Sequence, residues 1–332
     1  MVNDTLAVLL GRFQPLHKGH IETIRTALAI CDHVLVVVGS AERARSVRDP
    51  WLADERCEQL RIAFSEFDTD RLLVRTLPDW LYDSTHWLSQ WRALIQDAAR
   101  GRRIRILQRD PHAESGLFDG LDATGWIIND TLTVASGTVI RDAMFRRGHW
   151  QDDVPSVLHN DLAAFVASKD GENLIAEAEY FRAFTLAWSA APYPPVMVTV
   201  DAALVHRKQV LLVQRGRRPG KGLWALPGGF IDAGETREHA MLRELQEETQ
   251  FAGEPERVRA CISREVVFDA PYRSLRGRTI STAYLVRWPD DEAQPLVRGG
   301  DDAQDAFWVD IDALQPAQMF EDHWDMLQRL LR

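Results

Sequence analysis

The first half of the chain alternates short, continuously apolar segments with segments of helical period. Residues 6–10 and 34–38 are typical of strands, and the amphipathic segment 21–31 between them completes a βαβ unit. Residues 104–107 and 126–128 predict further buried strands. Because these segments are apolar throughout, both faces of the sheet should be buried, which favours a doubly wound parallel sheet of the α/β class.

The pattern changes in the second half. The helical period of residues 172–189 ends at the proline-rich segment 191–195 (APYPP), which is the clearest boundary in the chain. Beyond it, short β-rich segments and polar turns surround one strong helix at about residues 235–249. This order predicts an α+β domain with a mixed sheet.

Length and composition narrow the class of protein. The 332 residues suit two domains, which we place at 1–175 and 196–332, joined by a linker helix and proline-rich boundary at 176–195. The net charge of −10 argues against a nucleic-acid partner, whose binding surface would be basic. Without a signal peptide or an apolar run of about 18 residues, we expect no membrane partner. Three scattered cysteines favour a reduced, cytoplasmic protein, and an oligomer stays open.

The segment 11–20 (GRFQPLHKGH) directly follows the first predicted strand and is poor core material. His17 and His20, three positions apart where a helix begins, can face the same side, and Lys18 and the helix dipole add positive charge. Gly11 would let the backbone approach a ligand. These features predict a polyphosphate site in which the imidazoles stabilise the charge on a departing pyrophosphate. The alternative is that the two histidines only cap the helix.

A second cluster, residues 135–141 (ASGTVIR), supports the first. Small hydroxyl residues open a helix there, and Arg141 lies in its first turns. Ser136 or Thr138 could be an ordinary N-cap. Beside a nucleotide pocket, the same residues predict a second phosphate-binding helix start, with Arg141 on the β- and γ-phosphates.

Segment 11–20 resembles the HxGH signature of the nucleotidylyltransferase superfamily, and segment 136–141 resembles its SxTxxR motif. Residues 39–41 (GSA), followed by 49–51 (DPW) and 54–56 (DER), resemble the archaeal-type nicotinamide mononucleotide (NMN) adenylyltransferases. The resemblance implies a Rossmann-like domain and an in-line attack of the NMN phosphate on ATP, giving NAD and pyrophosphate. Positioning and charge stabilisation would carry that catalysis, without a covalent intermediate.

By this resemblance, His17, His20 and Arg141 are catalytic. The residues expected to bind ATP or NMN lie in or near these motifs: Gly11, Arg12, Phe13, Lys18, Gly39, Ser40, Trp87, Ser136 and Thr138. Trp87 either stacks on the nicotinamide ring or belongs to the core with Trp80 and Trp91. The chain departs from the family pattern at Ala135, where isoleucine is usual, and at residues 108–112.

In the second half, Glu244, Glu247 and Glu248 are spaced to share one face of a helix, where their charges repel. A divalent cation bound by these oxygens, Mg²⁺ or alternatively Mn²⁺, would compensate the repulsion and activate a water against a diphosphate. A solvated acidic face is the alternative interpretation.

Residues 229–251 resemble the Nudix box, Gx5Ex7REUxEExGU, except that Gln250 replaces the last glycine. The resemblance implies that Glu244, Glu247 and Glu248 bind the metal and that Glu247 and Glu248 are catalytic. The residues expected to brace the loop and helix are Gly229, Glu235 and Arg243. Glu248, Asp301 and Asp302 are the candidates for the base.

Segment 273–280 (RSLRGRTI) resembles a segment of Nudix domains that act on ADP-ribose. Arg273, Arg276 and Arg278 are therefore expected to bind ADP-ribose, although a solvated turn would also explain them. The order of the modules is similar to that of the bifunctional NMN adenylyltransferase/Nudix hydrolases. That family implies NMN, ATP and ADP-ribose as substrates, with ADP-ribose hydrolysed to AMP and ribose 5-phosphate. The alternatives are another phosphate acceptor, another nucleoside diphosphate derivative, or an ADP-ribose sensor.

Overall fold

In the computed structural model, which describes residues 4–107, 115–118, 120–126, 135–301 and 303–332, the chain divides after Ile175. The first unit is Met1–Ile175 and the second is Ala176–Arg332. The division falls inside one helix, Lys169–Ala187, which occupies most of the segment expected to be helical at 172–189. The bounds of the linker at 176–195 stay a prediction.

The first unit is built on a parallel sheet, which confirms the predicted class of fold. Its strands in the described residues are β1 (Thr5–Gly11), β2 (His33–Ala41), β3 (Leu72–Pro78), β4 (Arg103–Leu107) and β5 (Ala123–Trp126). Their order in the sheet is β3-β2-β1-β4-β5. The strand order reverses beside β1, and open α/β sheets bind ligands at the carboxyl ends of strands at such a point.

Helices cover both faces of this sheet. They are α1 (Lys18–Ile30), α2 (Ala53–Ala63), α3 (Ser84–Ala99), α4 (Gly137–Phe145) and α5 (His159–Ala167); the helix α6 (Lys169–Ala187) follows α5 along the chain. Alternate residues of β1 and β2 point into two separate apolar clusters, one shared with α1, α2, α4 and α5, the other with α3. This two-sided burial explains why the strands read as continuous apolar runs.

Two strands of the first unit differ from the prediction. Among the described residues β5 covers Ala123–Trp126, so the expected strand 126–128 starts earlier, and residues 127 and 128 lie outside the described residues. β3 has no counterpart in the prediction, because its central residues are partly exposed at the edge of the sheet. The segment 108–112 also lies outside the described residues.

The second unit contains a mixed sheet, as expected. Its strands are β6 (Met197–His206), β7 (Gln209–Arg215), β8 (Trp224–Ala225), β9 (Gly228–Phe230), β10 (Ile262–Phe268), β11 (Thr279–Trp288) and β12 (Ala303–Asp310). The main path through the sheet is β10-β11-β6-β7-β12, in which β6 and β11 are parallel and the other pairs are antiparallel. The helices are α7 (Arg237–Thr249), α8 (Pro255–Ala260) and α9 (His323–Leu331).

The helix α7 packs its apolar face against this sheet through Ala240, Met241 and Leu245. The acidic residues Glu244, Glu247 and Glu248 lie beside this apolar stripe, and Glu248 is itself buried next to β9. Within the described residues, no helix has both the length and the apolar composition needed to cross a membrane.

Candidate active sites

A cleft of about 330 Å³ opens at the carboxyl end of β1, between the starts of α1 and α4. Its walls come from the two segments that the sequence singled out, and they are Gly11, Arg12, Phe13, Gln14, His17, Gly19, His20, Glu22, Thr23, Ala135, Ser136, Gly137, Thr138 and Arg141. The fold thus joins residues 11–23 and 135–141. Because two helices begin here, their N-terminal dipoles add positive potential to the same space.

His17 and His20 form a reciprocal cap on α1. The Nδ1 of His17 accepts the backbone N–H of His20 at 3.4 Å, and the Nδ1 of His20 accepts that of His17 at 3.3 Å. The rings stack with their centroids 3.6 Å apart. Since each Nδ1 acts as an acceptor, a neutral ring carries its proton on Nε2, which is then a donor. The capping role and a role toward an anion are therefore compatible.

Phe13 explains the glycine at position 11. A Cβ on Gly11 would lie 2.8 Å from the Phe13 ring, so the glycine makes room for that ring, and its contact with a ligand stays a prediction. Phe13 is buried, adopts a left-handed backbone conformation (φ 53°), and meets His20 edge to face at 4.8 Å. Its ring therefore supports the imidazole from one side.

Arg141 is buried at the base of the cleft. Its Nη1 donates to the carbonyl of Gln14, and its Nη2 donates to Thr138 Oγ1 at 3.2 Å. Burial is the main cause that lowers the pKa of Arg141 to about 10, and the positive charges of Arg12 and Arg48 contribute to the same shift. Three arginines thus concentrate positive charge at one place, and an anion there would relieve their repulsion. Arg48 was not expected near the site from the sequence.

Residues around the start of α4 support this arrangement. Ser136 caps the helix by accepting the backbone N–H of Val139 at 3.4 Å, so its hydroxyl has the N-cap role that was the alternative. Gly137 also has a steric role, because a Cβ there would lie 2.8 Å from the Gln14 carbonyl. Neither Gln14 nor Gly137 was expected at the site from the sequence.

Other residues expected to bind ATP or NMN lie outside the lining of this cleft. Lys18 is exposed and donates to the carbonyl of Asp152. The Gly39 and Ser40 carbonyls at the end of β2 accept hydrogen bonds from Arg56. Trp87 is half-buried on α3, nearly parallel to Trp91 with centroids 5.8 Å apart, and packs against the core. Contacts of these four residues with a ligand stay predictions.

In the second unit, Arg243 forms hydrogen bonds with three carboxylates of the predicted Nudix box. It binds Glu235 at 2.6 and 3.1 Å, Glu244 at 2.8 Å and Glu247 at 3.0 Å. It also donates to the carbonyl of Phe230 at 3.0 Å. These contacts join α7 to the preceding loop, and the hydrogen bond from Arg243 lowers the pKa of Glu235.

The acidic face of α7 has the chemistry of a hard-cation site. Glu248 is buried and accepts the N–H of Gly228 at 2.9 Å, and a Cβ on Gly229 would lie 2.4 Å from a Glu244 oxygen. Glycine at 229 therefore leaves room for the Glu244 carboxylate. In the described part of the chain, no three His, Cys, Asp or Glu side chains already converge as a metal site. Oxygen donors on one helix face fit a divalent cation.

Gln250 keeps the turn that the missing glycine would make. Its backbone is left-handed (φ 46°, ψ 35°) at the end of α7, and its N–H donates to the carbonyl of Gln246 at 2.9 Å. Its side chain donates to the carbonyl of Gly299 at 3.2 Å. Gln250 therefore adopts the left-handed backbone that favours glycine at the end of α7, at a higher conformational free energy than glycine would need.

The three arginines of segment 273–280 have different surroundings. Arg273 is buried and binds Asp322 through two hydrogen bonds of 2.8 Å, which favours a structural role over contact with a ligand or a solvated turn. Arg276 lies 5.3 Å over the ring of Phe230 and 3.4 Å from Glu321. Arg278 is half-exposed and donates to the carbonyl of Asp269.

A buried acid beside the box was not found from the sequence. Asp201 on β6 accepts the hydroxyl of Ser281, and its Oδ1 lies 3.8 Å from His323 Nε2. Burial raises the pKa of Asp201 to about 6, and burial lowers that of His323. Asp201 also faces Gly228, whose N–H holds Glu248. Among the other candidate bases, Asp301 is exposed, and Asp302 lies outside the described residues.

Comparisons with known proteins match each half of the chain. The Cytidylyltransferase-like family model matches residues 8–142, and the NUDIX domain model matches residues 195–330. The nicotinamide-nucleotide adenylyltransferase of Aeropyrum pernix is 42% identical over 143 residues, covering 42% of this chain and 71% of that protein. The ADP-ribose pyrophosphatase of Methanocaldococcus jannaschii is 35% identical over 135 residues, covering 41% of this chain and 73% of that protein.

One solved structure matches almost the whole chain. It is a bifunctional NMN adenylyltransferase/ADP ribose pyrophosphatase from Francisella tularensis, in complex with AMP and a manganese ion. It is 30% identical, with a TM-score of 0.91, over 99% of this chain and 98% of that one. The similarity therefore extends through both units in the same order.

Proposed function

Because the chain belongs to the family of bifunctional NMN adenylyltransferase/ADP-ribose pyrophosphatases, we propose that its two units divide the two reactions. The first unit transfers an adenylyl group from ATP to NMN, giving NAD and pyrophosphate. The second hydrolyses ADP-ribose to AMP and ribose 5-phosphate. A match through the whole length to a bifunctional enzyme does not favour a sensor or a different acceptor.

The cleft of the first unit supports adenylyl transfer through one observation above all. His17, His20 and Arg141 face a space into which two helix N-termini point. The Nε2–H groups of the two imidazoles are donors to phosphate oxygens, since each Nδ1 is committed to the cap. Arg141, already held by Gln14, offers its charge without first having to be ordered.

These groups suit a reaction that needs no nucleophile from the protein. The NMN phosphate attacks the α-phosphorus of ATP, and negative charge grows on the departing pyrophosphate. Donors on His17, His20 and Arg141, together with the positive charge of Arg12, stabilise that charge. Holding the two substrates in line supplies the rest of the acceleration.

The second reaction depends on a divalent metal ion. We assign it to Glu244, Glu247 and Glu248 and expect Mg²⁺, with Mn²⁺ as a substitute. When bound, the ion polarises the diphosphate and lowers the pKa of a bound water. Glu235 and Arg243 hold the loop against α7, and Glu248, fixed by the Gly228 N–H, is the candidate base within the box.

For ADP-ribose itself, Arg276 is the strongest candidate contact among the three arginines. It lies over Phe230, whose carbonyl binds Arg243 of the box, so Arg276 is connected to the metal-binding helix. Arg278 stays a second candidate. Arg273 serves the fold through Asp322.

A cytoplasmic setting would suit these substrates. It is supported by Cys31, Cys57 and Cys261, all of which are free thiols.

Purified protein tests both activities directly. With NMN, ATP and Mg²⁺ it should form NAD and pyrophosphate, and with ADP-ribose and Mg²⁺ it should form AMP and ribose 5-phosphate, resolved by chromatography. NADH and deoxynucleoside triphosphates serve as competing substrates for the second unit. Absence of NAD would contradict the first assignment, and faster hydrolysis of NADH or a triphosphate would contradict the second.

A further inference from the structure

Arg56 is a completely buried arginine that binds only backbone carbonyls among the described residues. It lies on α2 and is 1% exposed. Its Nη1 donates to the carbonyls of Arg12 at 2.8 Å and Gly39 at 2.7 Å, and its Nη2 donates to that of Ser40 at 3.0 Å. Its Nε donates to Leu52 at 3.3 Å. A buried guanidinium without a bound carboxylate is costly, so its retention calls for a reason.

The carbonyls that Arg56 joins lie at the carboxyl ends of two neighbouring strands. Arg12 directly follows β1 and lines the cleft, whereas Gly39 and Ser40 end β2. β1 and β2 pair in parallel up to Gly11 and Val38, and Arg56 binds the carbonyls of the residues that directly follow this last pair. Ser40 has a left-handed backbone (φ 49°), which is strained for an L-residue, and the hydrogen bond from Arg56 to its carbonyl holds it in place.

The charge of Arg56 also acts on the cleft. Burial lowers the pKa of Arg56, while Asp49 and Asp79 raise it. Carbonyl dipoles stabilise this charge without cancelling it, so positive potential extends toward the neighbouring loop. A lysine could not replace the arginine fully, because an ammonium lacks the planar fork that reaches carbonyls on two strands at once.

We propose that Arg56 is a positioning residue for adenylyl transfer: it fixes the Arg12 loop against the Gly39–Ser40 turn and so sets the place of the bound nucleotide. This inference rests on the function proposed for the first unit. A purely structural arginine would affect unfolding alone, whereas a positioning residue affects the kinetics of the folded enzyme.

Arg56→Lys and Arg56→Gln test the proposal, with Arg61→Lys as the matched control. Arg61 lies on the same helix, is exposed, and among the described residues binds only Glu58, at 2.9 Å. The glutamine in Arg56→Gln is uncharged and does not have to bury a charge, so this variant still tests the proposal if Arg56→Lys does not fold. Full-length variants are assayed for NAD formation with ATP and NMN varied separately, well below the Tm of each, and ADP-ribose hydrolysis reports the second unit.

For both Arg56 variants we expect kcat/KM for ATP to fall about tenfold to a hundredfold, with hydrolysis unchanged. Arg61→Lys should stay within about twofold of the wild type. Wild-type kcat/KM for ATP in a folded Arg56 variant, with only a lower Tm, would overturn the proposal. Failure of the wild-type chain to form NAD would instead remove the proposed function, and this inference with it.

Discussion

His17 and His20 each accept the other's backbone N–H through Nδ1, so the pair caps the helix and fixes its own tautomer in one arrangement. Capping and catalysis therefore overlap in the same two rings. The two roles separate only if a substitution keeps one and removes the other.

The substitution His17→Asn separates helix capping from catalysis. Asparagine is a good N-cap, whereas alanine is not, so only His17→Ala should lower the free energy of unfolding of the first unit, by about 1 kcal/mol. Both variants lose the Nε2 donor, and NAD formation should fall by about 10²–10³-fold in each. Chemical denaturation and initial rates measure the two effects. Wild-type NAD formation by His17→Asn would show that the imidazole only caps the helix.

The sequence predicted those parts of the fold whose signal is local. β1 and β2 are buried on both faces, so they appear as continuous apolar runs. β3 and β10 lie at sheet edges with partly exposed residues, and neither leaves such a run.

The same distinction applies to the candidate sites. The histidines and the acidic helix are contiguous motifs and were found. Arg56 and Asp201 acquire their partners through contacts 44 and 80 residues away along the chain. Arg56 belongs to the segment 54–56 that carried the family resemblance, but a lone arginine on a helix has the pattern of a surface residue, so its burial and its carbonyl partners appear only in the fold.

Gln250→Gly should stabilise the second unit. The left-handed conformation costs glutamine about 1–2 kcal/mol, and glycine avoids this cost. Glycine also loses more conformational entropy on folding, which offsets about 0.5–1 kcal/mol of the gain in unfolding free energy. We therefore expect a gain of about 0.5–1 kcal/mol in urea denaturation, and unchanged hydrolysis. A loss of stability would show that the bond from Gln250 to Gly299 outweighs the backbone cost.

Arg273 and Arg278 should respond differently to replacement by methionine. Arg273→Met leaves the buried carboxylate of Asp322 without its partner and should cost about 3–5 kcal/mol of unfolding free energy. Arg278→Met breaks an exposed pair with Asp269 and should cost less than about 1 kcal/mol. Thermal and urea melts compare the two. Equal stability losses would contradict the structural assignment of Arg273.

Asp201 makes the stability of the second unit depend on pH. Its pKa is about 6 in the folded chain against 3.8 for the exposed group, so the folded state retains a proton that the unfolded state releases. The protonated carboxyl of Asp201 therefore contributes to the free energy of unfolding in full below pH 3.8, and this contribution is lost as the pH rises to about 6. The difference in unfolding free energy between wild type and Asp201→Asn should change across this range and stay constant from pH 7 to 8. A difference independent of pH would contradict the raised pKa of Asp201.

Two separate active sites on one chain should be separable by single substitutions. NAD formation and ADP-ribose hydrolysis are therefore compared in the wild type, His20→Ala and Glu247→Gln. We expect His20→Ala to lose NAD formation at least about 100-fold with hydrolysis retained, because a charge-stabilising donor is removed. Glu247→Gln should show the opposite pattern, because a metal ligand is lost. Loss of both activities in either variant, or full hydrolysis by Glu247→Gln, would contradict the assignment of two separate sites.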